Sequence, residues 1–225
     1  TIYTQKDLEE KIDFLINQAN ELHLSLSVSD SLPLKFANKK RILKESVYGY
    51  DRFSDSEMFK NSIRKKSLWS TPLSYMGFSG YINPFTLEGQ INSKTPYLNL
   101  IISDMHEAAH QMGYASEKEA NFIAYFFSYK NPDPYVKYAS LIFAIRYCNS
   151  ALFEVDPEKS KEKIKRLNYG IIENIKDVDS FWQKYKNPFQ PIFKNSYDKF
   201  LKANSQKRGI KSYNEVVGLI INYKF

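Results

Sequence analysis

Two of the chain's three histidines lie four residues apart in the stretch SDMHEAAHQMGY, and a glutamate directly follows the first. Residues four apart on a helix share a face, so the imidazoles of His106 and His110 would project the same way and could both bind one Zn²⁺. Glu107 lies about 100° further round such a helix and would not join the same ligand set. It could instead reach a water bound to the metal and act as general base. The H-E-x-x-H pattern therefore predicts a hydrolytic zinc site.

The alternative is an amphipathic helix whose polar residues face solvent, because so short a motif also arises by chance. The surrounding residues favour the metal site. Ala108 and Ala109 are small, as a crowded helix beneath a metal requires, and the preceding LNLII is apolar, which predicts that the helix enters from the interior. Gly113 is predicted to end this helix in the left-handed conformation.

A third protein ligand is required, because catalytic zinc sites have three and leave one position for water. His23, the remaining histidine, follows an amphipathic pattern, which favours a packing or surface role. The next acids are Glu117 and Glu119. Ser116 followed by Glu119 fits a capping box, which would give Glu119 a structural role.

Glu117 is the preferred third ligand, with Glu119 as the alternative. Glu117 and Asn121 are four residues apart and share a helical face. In this interpretation Glu117 binds zinc, and Asn121 lies one turn deeper and hydrogen-bonds a ligand histidine.

The hydrophobic pattern predicts a mainly α (α+β) chain that forms one domain over residues 1–225. Thr4 is predicted to cap a first amphipathic helix. Residues 77–96 are rich in Gly, Pro, Asn and Thr and predict turns and one small irregular β hairpin before the H-E-x-x-H helix. Further helices are predicted at residues 54–67, 101–112, 116–129, 134–153, 156–185 (one or two), 195–204 and in the apolar C-terminal stretch.

Two further parts of a peptidase site have weaker signals. Residues 80–92 could supply an edge strand that pairs with an extended peptide, or they could form a plain structural loop. Arg146 and Tyr213 are candidates for stabilising an oxyanion. The alternatives are a buried ion pair for Arg146 and a hydroxyl packed against a helix start for Tyr213.

Composition excludes several classes of function. The net charge is +7, but the lysines are scattered and accompany no nucleic-acid-binding signature, so an anionic membrane surface is a better partner than nucleic acid. Cys148 is the only cysteine, which excludes zinc sites that need two or four cysteines and predicts a buried, inert thiol. No stretch has the length and apolar purity of a membrane span.

The stretches GFSGYINPFTLEGQIN, HEAAHQMGYASEKEANFIAY and YDKFLKANSQKRGIKSYNEVVGLII resemble a bacterial family, domain of unknown function 3810, from Gly77 to near the C-terminus. H-E-x-x-H followed by EKEAN also resembles the glutamate-zincins, which have E-x-x-x-D where this chain has Asn121, and the ImmA-like peptidases, which use a similar Glu-Ala-Asn segment. Both normally have a longer gap before the third ligand. The resemblance implies a zincin-like helical domain. It also implies that the chain is the soluble part of a longer membrane-anchored protein.

The sequence therefore predicts a zinc metallopeptidase in which His106, His110 and Glu117 hold Zn²⁺. Glu107 takes a proton from the zinc-bound water and passes it to the leaving amine of a peptide or protein substrate. One alternative is a catalytically silent zinc-containing module that binds peptides or senses them at a membrane surface. Another is a basic scaffold that docks on anionic lipid or on another protein. The substrate and the oligomeric state are left open.

Overall fold

The computed structural model describes residues 3–36, 64–203 and 215–223. The helices in these residues are α1 Gln5–Leu26, α2 Ser70–Met76, α3 Tyr97–Gln111, α4 Glu117–Lys130, α5 Pro134–Val155, α6 Pro157–Ile164, α7 Tyr169–Tyr185, α8 Gln190–Ala203 and α9 Val216–Asn222. The strands are β1 Arg64–Lys66, β2 Gly80–Ile82 and β3 Gly89–Ile91. The predicted mainly α (α+β) class is confirmed.

Helix α1 begins at the predicted cap. The Thr4 hydroxyl accepts a hydrogen bond from the Asp7 amide (3.1 Å), and the Asp7 carboxylate accepts one from the Thr4 amide (2.8 Å). These two bonds satisfy amides that an uncapped helix would leave unpaired. The apolar stripe of α1, which includes Leu8, Ile12 and Leu15, is fully buried and packs mainly against α5.

Helix α5 is the central element of the core. It starts where the NPDP break was predicted, with the Asp133 carboxylate accepting hydrogen bonds from the amides of Tyr135 and Val136. Helices α1, α3, α4 and α6 all pack against it. Cys148 is completely buried on this helix, and burial raises the pKa of its thiol to about 12, in keeping with an inert structural thiol.

One hydrophobic core runs through the described residues and draws on α1, α3, α4, α5, α7 and α9. The assignment of residues 1–225 to a single domain stays a prediction. Within the described ranges, no helix combines the length and hydropathy needed to cross a bilayer.

The three strands form a small mixed sheet in the order β1-β3-β2. Strands β2 and β3 are the predicted hairpin, and β1 adds parallel to β3 with Arg64 opposite Gly89. The helix predicted over residues 54–67 is wrong for Arg64–Lys66, which form β1; residues 54–63 lie outside the described residues. Pairing with β3 and a buried ion pair from Arg64 to Asp104 (2.8 Å) override the local helical pattern.

Helices α3 and α4 carry the H-E-x-x-H pattern and the two candidate glutamates. Helix α3 starts four residues earlier than predicted, directly after Pro96. Gly113 has the predicted left-handed conformation (φ +93°) and turns the chain towards α4. Ser116 occupies the N-cap position of α4, but its side chain makes no capping hydrogen bond, so the capping-box interpretation is wrong.

Candidate metal centre

His106 and His110 project from one face of α3, as their spacing predicts. Their Nε2 atoms are 3.0 Å apart, and the ring centroids are 4.6 Å apart with the rings perpendicular. Both side chains are mostly buried, with about one-seventh of each exposed (14% and 16%). Two imidazole nitrogens so close together could both bind one metal ion.

Glu117 completes the cluster from the first turn of α4. Its carboxylate is 2% exposed, with Oε2 3.2 Å from His106 Nε2 and Oε1 3.6 Å from His110 Nε2. Ligand atoms about 2.0–2.1 Å from a zinc ion at tetrahedral angles are about 3.3 Å from one another. The two imidazole nitrogens are 3.0 Å apart, and each lies 3.2 or 3.6 Å from a different oxygen of Glu117. With one ligand atom taken from each residue, the three atoms lie within 4.8 Å of one another, so these side chains could hold a metal ion.

Glu119 does not belong to this cluster. It lies two residues further along α4, and its side chain is exposed. The three side chains whose ligand atoms lie within 4.8 Å of one another are His106, His110 and Glu117. The preference for Glu117 over Glu119 therefore agrees with the geometry.

The charges of the cluster are strongly coupled. Burial favours the neutral form of Glu117, but the two imidazoles that face its carboxylate outweigh this effect and hold the pKa of this carboxyl well below its usual range. Burial likewise disfavours a charged His110, but the facing carboxylate of Glu117 raises the pKa of this imidazole. The arrangement therefore favours an anionic carboxylate facing a cation.

A backbone carbonyl orients His110. The Nδ1–H of His110 donates to the Tyr114 carbonyl at 2.7 Å, which leaves the Nε2 lone pair for a metal. The chain reaches this position because Gly113 adopts a positive φ and the Tyr114 amide returns to the Ala109 carbonyl. Sequence reasoning missed this contact, although the glycine three residues after His110 was its signal.

Asn121 is buried on α4 and lines the same cavity as the cluster. Its Nδ2 has no hydrogen-bond partner within the described residues, so this atom does not form the predicted bond to a ligand histidine. For His110, the Tyr114 carbonyl takes the orienting role that was assigned to Asn121.

Glu107 lies beneath the sheet, next to the three ligands but outside their group. It is 5% exposed, and burial raises its pKa to about 6, against the opposing effect of the nearby histidines. A Cβ on Gly80 would lie 2.7 Å from Glu107 Oε1, and a Cβ on Gly89 would lie 3.2 Å from Glu107 Cβ. Glycine at position 80 lets the sheet cover the carboxylate closely, and glycine at position 89 lets β3 lie close to the Glu107 Cβ. Sequence reasoning missed both roles.

We expect Gly80→Ala to displace the Glu107 carboxylate and leave the three candidate ligands in place. A shift of about 1 Å in a reacting group can cost about a hundredfold in rate. For the peptidase predicted from the sequence, cleavage of a peptide should therefore fall by about that factor while the zinc content stays the same. Gly170→Ala is the comparison for general destabilisation, because its Cβ would lie 2.2 Å from the Leu32 carbonyl oxygen, away from the cluster. An active Gly80→Ala protein would contradict the assigned packing.

The cluster opens into a cavity of about 1320 Å³. Helix α3 lines it from Leu98 to His110, and β2, α2, α5 and α7 supply the walls. Arg146, on α5, lies in its lining with an exposed side chain 2.7 Å from Asp179. The alternative reading of Arg146 as a buried ion pair is therefore wrong, since the pair is exposed, and its oxyanion role stays a prediction.

The two remaining candidates are not in the cluster. His23 is fully buried, its Nε2 lies 3.0 Å from the Leu32 carbonyl, and its ring packs near Tyr138, so the packing role is confirmed. Tyr213 lies outside the described residues.

A sequence model of one protein family, described as "Protein of unknown function (DUF3810)", matches residues 1–221. No curated protein matches the chain, and no solved structure matches it.

Proposed function

The chain belongs to the DUF3810 family, whose description assigns no activity, and we propose from the site itself that it is a zinc-dependent peptidase. The convergence of three ligand side chains from two neighbouring helices carries the proposal. The two imidazole nitrogens are 3.0 Å apart and each faces one carboxylate oxygen of Glu117, at 3.2 and 3.6 Å, close to the edge length of about 3.3 Å of a zinc tetrahedron. A structural zinc site would fill the fourth position with protein, but the described residues offer three ligands that face a cavity.

The proposed roles follow from the positions of the side chains. His106, His110 and Glu117 would hold the ion, and the Tyr114 carbonyl would fix the tautomer of His110. Bound zinc would supply a Lewis acid that polarises a carbonyl group and acidifies water. Glu107 would accept a proton from the attacking water at its carboxylate and deliver it to the leaving amine.

The outer edge of β2 supports a peptide substrate. The Asn92 amide donates to the Ser79 carbonyl, and the Asn83 amide donates to the Glu88 carbonyl. Bonding alternates along an antiparallel pair, so the backbone groups of the intervening Gly80 and Ile82 point away from β3. Both residues line the cavity, and β2 is an edge strand of the described sheet. An extended peptide could pair there, as predicted for residues 80–92.

Removal and return of the metal tests this function. Protein purified without chelator should contain one zinc per chain and should cleave unfolded, fluorescently labelled casein. Dialysis against 1,10-phenanthroline should abolish cleavage because the Lewis acid is lost, and stoichiometric Zn²⁺ should restore it whereas Mg²⁺ should not. Cleavage by metal-free protein would refute the proposal. Full zinc occupancy without cleavage of casein or of a peptide library would favour the silent peptide-binding module.

The location of this activity stays a prediction. The charge of +7 is compatible with an anionic membrane surface. The membrane-anchored origin rests on the family resemblance alone.

A further inference from the structure

The cavity extends well beyond the metal cluster along α3. His110 follows Leu98 by twelve positions, and both line the cavity, so at about 1.5 Å per residue the α3 wall is about 18 Å long. The cluster occupies the C-terminal part of that wall. An extended chain advances about 3.3 Å per residue, so the wall is long enough for about five residues of substrate. The volume of about 1320 Å³ also exceeds the roughly 300–1,000 Å³ of small-molecule sites.

The part of the cavity away from the cluster is mostly apolar. Helices α2, α3, α5 and α7 each contribute large apolar side chains, among them Leu73, Met76, Ile102, Phe143, Val178 and Trp182. Water in contact with such a lining is released when an apolar segment enters, which favours binding in proportion to the apolar area that is covered.

The lining offers almost no charge outside the cluster. Within the described part of the chain, Arg146 is its one charged side chain apart from His106, Glu107, His110 and Glu117. Asp179 already pairs with Arg146 at 2.7 Å. A charged substrate side chain placed among these apolar groups would lose its hydration without gaining a partner. The lining therefore selects against charged segments.

The edge of β2 favours a polypeptide over a fatty acyl chain. Gly80 and Ile82, whose backbone N–H and C=O groups point away from β3, both line the cavity. An extended peptide can pair with them, whereas an acyl chain would cover them without a hydrogen bond and leave polar groups unsatisfied. The wall thus combines a backbone-pairing edge with apolar side-chain pockets.

We propose that this cavity binds an extended polypeptide segment of about five residues that carries several large apolar side chains and no charge. The inference rests on the proposed peptidase function and specifies its substrate class. The physical basis is a mostly apolar cavity wall about 18 Å long that includes the cluster and β2, an edge strand among the described residues.

Tryptophan fluorescence can report when a peptide occupies the cavity. It has two tryptophans, Trp69 and Trp182, and both line the cavity. In the zinc-loaded Glu107→Gln protein, a blocked decapeptide with the core Leu-Phe-Ile-Val-Leu should shift the tryptophan emission saturably. Calorimetry provides a second readout. The same peptide with Asp or Lys at the central core position should bind at least about tenfold more weakly, because the buried charge would be unpaired.

A charge placed in the wall makes the test specific. Met76 is half-buried in the cavity lining, whereas the neighbouring Tyr75 is 50% exposed and outside it. Met76→Lys should weaken binding of the apolar peptide by about tenfold and strengthen binding of the Asp peptide by pairing its charge. Tyr75→Lys should change neither.

The outcomes separate the substrate class from the activity. Binding of the apolar peptide without cleavage by the wild-type protein would support this inference and refute the peptidase. Equal cleavage of apolar and charged peptides would support the peptidase and overturn this inference. The inference also falls if the apolar peptide gives neither an emission change nor heat, or if dodecanoate displaces it stoichiometrically, which would favour an acyl ligand.

Discussion

Glu117→Gln is expected to release zinc from the protein, whereas Glu119→Gln is expected to leave it bound. The carboxylate of Glu117 faces both imidazoles at 3.2 and 3.6 Å and is 2% exposed. The amide of glutamine keeps the size of the side chain but removes the negative charge that balances the cation. Loss of a group that only supports a ligand typically costs about 10–100-fold in metal affinity. Loss of a ligand should therefore cost more than about a hundredfold.

Glu119→Gln is a closely matched control for this experiment. It makes the same chemical change two residues away, in the same first turn of α4, but on an exposed side chain. Zinc content after gel filtration, and affinity by competition with a chromogenic chelator, should differ between the two proteins by that factor of more than about a hundred. Far-ultraviolet circular dichroism should be the same for both. Zinc loss in Glu119→Gln with retention in Glu117→Gln would reverse the ligand assignment.

The clustering of His106, His110 and Glu117 could be predicted from the sequence because helical geometry is local. His106 and His110 share a face of α3 for the same reason that any residues four apart do. Glu117 is close in sequence to both, and a single turn at Gly113 suffices to bring α4 back against α3. A site built from two adjacent helices and one short connection leaves few arrangements open.

The position of the β sheet over Glu107 could not be predicted, because it depends on contacts between residues that are distant in sequence. Strand β1 joins β3 across 25 positions, from Arg64 to Gly89, and that pairing overrides a locally helical pattern. The close approach of Gly80 to Glu107 joins residues 27 positions apart. Turn residues in a hairpin do not reveal which helix the hairpin covers.

The errors at Ser116 and Arg146 have different causes. A capping box is a statistical pattern of side-chain chemistry, and the Ser116 hydroxyl makes no capping bond although the residue stands at the N-cap. Arg146 was considered for a buried ion pair because its neighbours along α5 are apolar. Since α7 brings Asp179 to it at the rim of the cavity, the pair is exposed instead.

Glu107→Gln should abolish most peptide cleavage and leave zinc binding unchanged. The ligand atoms come from His106, His110 and Glu117, so replacing Glu107 removes none of them. Glutamine has nearly the same shape and fits beneath Gly80, where an added methyl group would already lie 2.7 Å from Oε1. An amide cannot take up the proton that a carboxylate accepts. General acid–base groups typically contribute about 10²–10⁴-fold to a rate, and we expect a loss of turnover in that range.

Three variants distinguish the proposed roles: Glu107→Gln tests the general base, Glu119→Gln an exposed side chain, and Glu117→Gln a metal ligand. Glu107→Gln should lose turnover and retain zinc. Glu119→Gln should retain turnover and zinc, and Glu117→Gln should lose turnover and zinc. Turnover of an apolar peptide, zinc content and apolar-peptide binding by tryptophan emission should be measured on the same preparations. A Glu107→Gln protein with wild-type turnover would show that another group moves the proton. One that loses zinc would show that Glu107 holds the metal, whereas Glu107 is not among the three side chains whose ligand atoms cluster within 4.8 Å.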